Sequence, residues 1–373
     1  MAVLTVEPFT RNLKNFPESF SKLNNDSGKN VIGYFCTYTP IELIYAAGFL
    51  PVRIFGGSGR VDRAYHLAPQ FICPPLLRSL EMALSGKYDF LAGIIQGYTC
   101  DVVCGMVNIW RENFPKALYH TLPIPYNHSP DGMAFFRSAI MELTEKLGEA
   151  GNSFHITALA ESLDLYDRIR RLVLDLYEWR YEGRLPLTAA ELYDVIQAFF
   201  IMPPVEYLDA LQALHDTLKN SGPSKSSGVP ILLSGSYIED PKIFDILESS
   251  GMHIVADDLC TGLRPFHIPE INGQDPLTRL MNRYTRRIAC PSRCRAEERL
   301  PYLKNLIHAS GAKGVLFVIQ KFCTPHLADE PFLKYALQRD GIRSMVVELE
   351  ATGIQEGQLA TRVQGFVEML DKD

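Results

Sequence analysis

Short apolar runs, each bounded by turn residues, recur along the chain in two groups of four. The first group is VIGYFC (Val31 to Cys36), PVRIFG (Pro51 to Gly56), FLAGIIQ (Phe90 to Gln96) and ALYHTLPI (Ala117 to Ile124). The second is ILLSGS (Ile231 to Ser236), HIVADD (His253 to Asp258), GVLFVIQ (Gly314 to Gln320) and RSMVVELE (Arg343 to Glu350). Runs of this kind with helical patterns between them are what parallel strands look like when helices cover both faces of their sheet. The expected fold class is α/β, with two doubly wound domains of four parallel strands each.

Residues 131 to 227 follow a different period. LYDRIRRLVLDLYEWRYEG and TAAELYDVIQAFF place apolar residues three and four apart with no alternation, so a helical insert or bridge is expected there. It closes in KNSGPSKSSG, a linker-like stretch. The expected domains are therefore 1–130, 131–227 and 228–373. Helix signals agree across the halves. Thr39-Pro40-Ile41-Glu42 reads as an N-cap, a first-turn proline and a capping-box glutamate, with Gly48 closing the helix. Asp240-Pro241 and Gly251 bracket the corresponding helix of the second half, which points to an internal duplication.

Charge narrows the function. Lys and Arg number 37 against 43 Asp and Glu, a net charge of -6, and the basic residues are scattered, so nothing supports nucleic-acid binding. MAVLTVEPFTRNLKNF lacks a charged n-region followed by an apolar h-region, and no run approaches the ~20 apolar residues of a membrane span. A cytoplasmic location without membrane association is expected. There, the eight cysteines are not expected to form a disulfide framework, which leaves inert buried thiols or metal ligands.

Ligands of open α/β sheets bind beyond the carboxyl ends of the strands. Cys100 lies four residues past IIQ and Cys323 three residues past VIQ, matching places in the two halves. Cys73 stands before Pro74 and Pro75, which suit the first turn of a helix. Three thiols in such connections suit iron–sulfur ligation better than structural zinc, which takes four closed ligands. Cys36 and Cys260 read as small buried hydrophobes. Spacing alone does not choose.

Together these residues resemble the D-component family that contains 2-hydroxyacyl-CoA dehydratase subunits, benzoyl-CoA reductase subunits and double-cubane cluster proteins. The resemblance is carried by GYFCTYTPIELIYAAGFLPVRIFGG, ALSGKYDFLAGIIQGYTCD, LLSGSYIEDPKIFDILESSGMHIVADDLCTG, KFCTPHLADEPFLKYAL and GQLATRVQGFVEML, and it runs from about Gly28 to Leu370. It implies two flavodoxin-like domains holding a 4Fe-4S cluster on Cys73, Cys100 and Cys323. It also implies an enzyme subunit of the (R)-2-hydroxyacyl-CoA dehydratase or CoA-ester reductase type, paired with a related subunit as a heterodimer. In such anaerobic systems an ATP-hydrolysing iron–sulfur activator protein injects one electron at low potential. The acyl-CoA thioester becomes a ketyl radical anion, which expels a hydroxyl group or begins ring reduction.

One departure opens an alternative. Cys104 follows Cys100 by four residues, and Cys290-Pro-Ser-Arg-Cys294 repeats that spacing. With Cys73, Cys100 and Cys323 these make the six cysteines of an 8Fe double-cubane cluster, which implies a small-molecule reductase acting as a homodimer. A second alternative is a non-catalytic scaffold, which would have no need of retained ligands. Glu42, opening a helix beside the first strand, is the candidate catalytic residue, with the capping box as its structural reading. Asp101, Asp257, Asp258, Thr261 and Gly262 fall near strand ends. Lys321 is placed to stabilise an anionic cluster, Arg53 and Arg78 to meet CoA phosphates, and Trp110 and His120 to pack.

Overall fold

All eight apolar runs are strands, and they assemble into two four-stranded sheets in which every pairing is parallel. The structure is a computed structural model, and it describes residues 5–18, 30–57, 59–151, 154–224, 227–268, 275–288, 290–350 and 353–372. In chain order the elements are α1 (Glu7–Asn15), β1 (Val31–Tyr34), α2 (Ile41–Ala46), β2 (Leu50–Arg53), α3 (Pro74–Leu84), β3 (Leu91–Gly97), α4 (Asp101–Asn113) and β4 (Leu118–Leu122). Then come α5 (Pro130–Ala150), α6 (Ile156–Tyr181), α7 (Ala189–Ala198) and α8 (Pro204–Leu218). The second half contributes β5 (Val229–Gly235), α9 (Lys242–Ser249), β6 (Met252–Asp258), α10 (Pro276–Thr285), α11 (Ala296–Ser310), β7 (Gly314–Gln320), α12 (Thr324–Arg339), β8 (Arg343–Leu349) and α13 (Glu356–Asp371).

The sheet orders are β2-β1-β3-β4 and β6-β5-β7-β8, the same doubly wound order twice. Strand β7 is buried at every position, as a central parallel strand covered on both faces must be. The edge strand β8 instead exposes Arg343 and Glu348. Two glycines end strands where the backbones close in. A Cβ at Gly97 would lie 2.4 Å from the Tyr38 carbonyl oxygen, and one at Gly235 would lie 1.9 Å from that of Val318. Only a hydrogen fits there.

The capping box expected at Thr39 and Glu42 does not form. Helix α2 begins at Ile41 with no side-chain cap. The Thr39 hydroxyl is drawn to the end of β3, where it accepts the Gly97 N–H at 3.1 Å. The Glu42 carboxylate turns to Arg170, to Arg283 at 2.9 Å and to the Tyr284 hydroxyl at 2.6 Å. Charge-assisted partners outweigh one backbone N–H.

Packing cuts across the order of the sequence. Helix α5 lies on the first sheet, where Phe136, Ile140 and Leu143 share a core with Ile32, Ile95 and Leu122. Helix α6 contacts α2 of the first half and β6 of the second. Helix α1 packs on α7 and α8, with the Phe9 and Tyr207 rings 5.7 Å apart. Helix α10 crosses back, so that Leu277, Leu280 and Tyr284 join the core around Ile32 and Leu43. Of the linker-like stretch, residues 225 and 226 lie outside the described residues; Ser221 to Ser224 and Ser227 are neither helix nor strand.

Candidate functional site

In each sheet the chain turns opposite ways from two neighbouring central strands, β1 and β3 or β5 and β7, and opens a crevice at their carboxyl ends. Residues from both crevices line one cavity of about 130 Å³, room for several waters' worth of volume. Six cysteines are on its wall: Cys36, Cys73, Cys100, Cys260, Cys290 and Cys323.

Three of these stand in one local setting. Cys73, Cys100 and Cys323 are the N-cap residues of α3, α4 and α12. The positive ends of three helices therefore converge on the thiols, an arrangement that favours negative charge at sulfur. Burial works against it. It pushes the Cys73 thiol up to about 12 and raises Cys100 and Cys323 as well, while the backbone amides of Leu76, Val103 and His326 pull the other way. Neutral thiols in a largely apolar cavity become thiolates when a metal binds them.

Cationic groups share the wall. Arg53 is 5% exposed and donates to the Cys260 carbonyl at 3.3 Å and to its sulfur at 3.8 Å, with the Tyr237 ring 5.0 Å from its guanidinium carbon. Among the described residues no carboxylate pairs with it. Arg264 bonds Asp258 at 2.8 Å through Nε, yet its buried Nη1 has no hydrogen-bond partner. His326 Nδ1 lies 3.4 Å from Cys323 Sγ. Burial, followed by Arg264 and Arg299, lowers the His326 pKa well below the usual value, so the ring is neutral near pH 7.

These features fit an anionic cluster held by thiolates. Among the described residues no three His, Cys, Asp or Glu side chains converge as they would on a single ion. A cubane spreads its sulfur ligands over separate irons, so spaced thiols around one cavity suit it better than they suit zinc.

Cys104 and Cys294 are not on the cavity wall. Cys104 sits one turn along α4, and the Cys294 thiol turns to the Cys290 carbonyl at 3.6 Å. Glu42 is fully buried away from the cavity, and although burial alone would raise its pKa, Arg170 and Arg283 hold it down at about 2. Asp257 organises its own loop by accepting the Leu259 and Leu263 amides and the Tyr177 hydroxyl. A Cβ at Gly262 would strike the Asp257 carboxylate at 1.8 Å. Thr261 bonds Tyr193 and Gln197, and Asp101 accepts from Tyr98. Arg78 pairs with Glu239 and Lys321 with Glu350. Trp110 packs against Phe35, and His120 lies 3.2 Å from the Lys146 amine.

Several residues on the wall carried no site signal in the sequence. Cys36 and Cys260 look like any small apolar residue there, and Arg264 and His326 stand out only once their neighbours are known. Gln320 on the wall and its counterpart Gln96, which is not on it, had a signal, the repeated IIQ and VIQ. Gln96 accepts the Phe35 and Cys36 amides at 3.0 and 3.1 Å, and Gln320 donates to the Tyr237 carbonyl at 2.6 Å.

Comparison with known proteins places this architecture. The profile of the family described as 2-hydroxyglutaryl-CoA dehydratase, D-component, matches residues 36–370. The chain is 26% identical to the (R)-phenyllactyl-CoA dehydratase beta subunit of Clostridium sporogenes over 96% of each chain. It is 27% identical to the (R)-2-hydroxyglutaryl-CoA dehydratase beta subunit of Acidaminococcus fermentans, covering 92% of this chain and 93% of that one. Identity is also 27% to a benzoyl-CoA reductase subunit of Thauera aromatica, over 83% of this chain and 82% of that one. With a match that spans both sheets and the helices between them, the chain belongs to the 2-hydroxyglutaryl-CoA dehydratase D-component family.

Proposed function

We propose that this chain is the iron–sulfur subunit of a 2-hydroxyacyl-CoA dehydratase or a benzoyl-CoA-reductase-like enzyme, working with a related partner subunit, an ATP-dependent iron–sulfur activator and an acyl-CoA substrate. The observation that carries the reading is the convergence of Cys73, Cys100 and Cys323, each at a helix N-terminus, on one cavity between the two strand-end crevices. These three thiols would hold a 4Fe-4S cluster, which supplies one-electron transfer at low potential. Chemistry of that kind is needed because general acid–base catalysis contributes only about 10²- to 10⁴-fold, too little for the weakly acidic β-hydrogen of a 2-hydroxyacyl thioester.

The chain's own residues do the rest. Arg53 and Arg264 place positive charge on the wall, which offsets the negative charge of thiolate ligation. His326 is positioned to hydrogen-bond the Cys323 sulfur and so to tune its basicity. Gln96 and Gln320 fix the loops that close the cavity. The absence of Cys104 and Cys294 from the wall favours a single cluster over a double cubane. Iron and sulfide counting after anaerobic purification tests this: about four irons per chain supports the reading, about eight the double cubane, and none after reconstitution the scaffold.

A further inference from the structure

A second cavity, of about 330 Å³, shares no lining residue with the cavity of the cysteines. Helix α1 forms one side of it and α7 another, and the loop after β2 adds Phe55 and Gly57. Its apolar wall is Leu13, Phe16, Phe55, Met82 and Ile201. The Phe16 and Phe55 rings meet edge to face, 6.1 Å apart. A cleft of this size, mostly apolar with a few polar groups, is built like a small-molecule site.

Those polar groups leave acceptors open and donors closed. Asp194 and Gln197 stand three residues apart on α7 and so share one face of the helix. Asp194 is half-buried, and among the described residues its carboxylate has no hydrogen bond or ion pair. Gln197, 7% exposed, commits its amide nitrogen to the Thr261 carbonyl at 2.7 Å, which leaves its oxygen without a donor. The other polar groups are already engaged. Tyr193 donates its hydroxyl to the Ile238 carbonyl at 2.8 Å, and Glu239 accepts from Arg78 at 3.0 Å, from the Tyr237 hydroxyl at 3.0 Å and from the Gly56 amide at 2.5 Å.

A half-buried carboxylate without a donor is costly to keep charged. Burial pushes the Asp194 carboxyl up to about 6; Lys14 pulls it back, and Asp245 and Glu191 add to the rise. Lys14, exposed on α1, is the one cation on this wall, and it makes no ion pair with Asp194. An ammonium group carries three donors and no acceptor, so it can satisfy Asp194 and Gln197 together. Aromatic rings and a thioether beside it suit a hydrocarbon body and tolerate the positive charge.

We propose that this cavity binds a primary organic amine, with its ammonium on Asp194 and Gln197 and its hydrocarbon part against Phe16, Phe55 and Met82. Because α1 forms one wall, the bound amine also secures α1 to α7. The site stands independently of the cluster reading above.

The test is isothermal titration calorimetry on the full chain near neutral pH. The probes are 2-phenylethylamine, its uncharged analogue 2-phenylethanol and the anion 3-phenylpropionate. The expected result is one saturable amine site per chain, about tenfold or more tighter than 2-phenylethanol, with no competition from 3-phenylpropionate. Asp194→Asn should weaken the amine about tenfold and leave 2-phenylethanol unchanged, which shows the cavity intact. Phe16→Ala removes a ring and spares the carboxylate; it should weaken both ligands several-fold, and it locates the site should Asp194→Asn fail to fold. Lys14→Met should bind the amine at least as tightly as wild type. The proposal is overturned if wild type shows no saturable amine binding, if amine and alcohol bind alike, or if 3-phenylpropionate competes. It is equally overturned if Asp194→Asn binds the amine like wild type, or if binding appears only in Lys14→Met, the result expected when Lys14 itself fills the corner.

Discussion

At the carboxyl lip of the first sheet, Gln96 turns its oxygen to the amides of Phe35 and Cys36; at the same place in the second, Gln320 turns its nitrogen to the carbonyl of Tyr237. Two residues past the leading strand stands Cys36 in one half and Tyr237 in the other, and both line the cavity. Near Cys323 lies a buried ion network in which Asp258 pairs with Arg264 and Arg299, and Arg299 pairs with Asp329. On the first half's side the strap from α10 brings Arg287 and Arg293 instead. The doubly wound order supplies the same positions twice. Connections that are not repeated decide what chemistry occupies them.

The sharpest challenge to the equivalence of the halves is at the N-cap thiols. Cys100→Ser and Cys323→Ser should each abolish most iron binding, read by iron assay on anaerobically purified protein; retention in one alone would make the halves chemically unequal. Next in size are the buried charges. Glu42→Gln and Asp258→Asn each remove one side of a buried ion cluster and should destabilise the chain by about 3–5 kcal/mol in urea titrations.

Glu42 adds a pH signature. Its folded pKa of about 2 lies below the ordinary 4.5, so its stabilisation is full above about 4.5 and fades as pH falls toward 2. That acid-sensitive part should be missing from Glu42→Gln in stability measured across this range. A smaller effect separates the glutamines. Gln96→Leu removes the partner of two amides and of the Gly97 carbonyl and should cost about 2–3 kcal/mol, against about 1 kcal/mol for Gln320→Leu, which strands one carbonyl. The smallest expected change is for Cys104→Ala and Cys294→Ala, which should leave iron content intact; iron loss in either would restore the double cubane.

The strands were legible because parallel strands buried on both faces are written as apolar runs with turn residues at their ends. The N-cap cysteines were legible for a related reason: Cys73 precedes two prolines, and Cys100 and Cys323 follow apolar runs that end in glutamine. The Thr39–Glu42 capping box was a sound local reading, but it lost to partners more than a hundred residues away, since Arg170 and Arg283 come from α6 and α10. Local capping supplies about 1 kcal/mol and a buried charge cluster more. The helical segment read as a bridge serves partly as a layer of the first sheet, because periodicity reports that a face is apolar without saying what covers it.

By itself, then, the sequence determined two α/β units of one design, two cysteines just past matching strands and a third ahead of a helix, because period, turn chemistry and N-terminal prolines act over a few residues. Only the tertiary structure decided that both crevices open on one cavity, that Cys36, Cys260 and Cys290 stand on its wall while Cys104 and Cys294 do not, and that Glu42 is locked away from it. Those outcomes depend on where α6 and the α10 strap cross between the halves, and such crossings are fixed by packing and charge pairing between residues far apart in the chain.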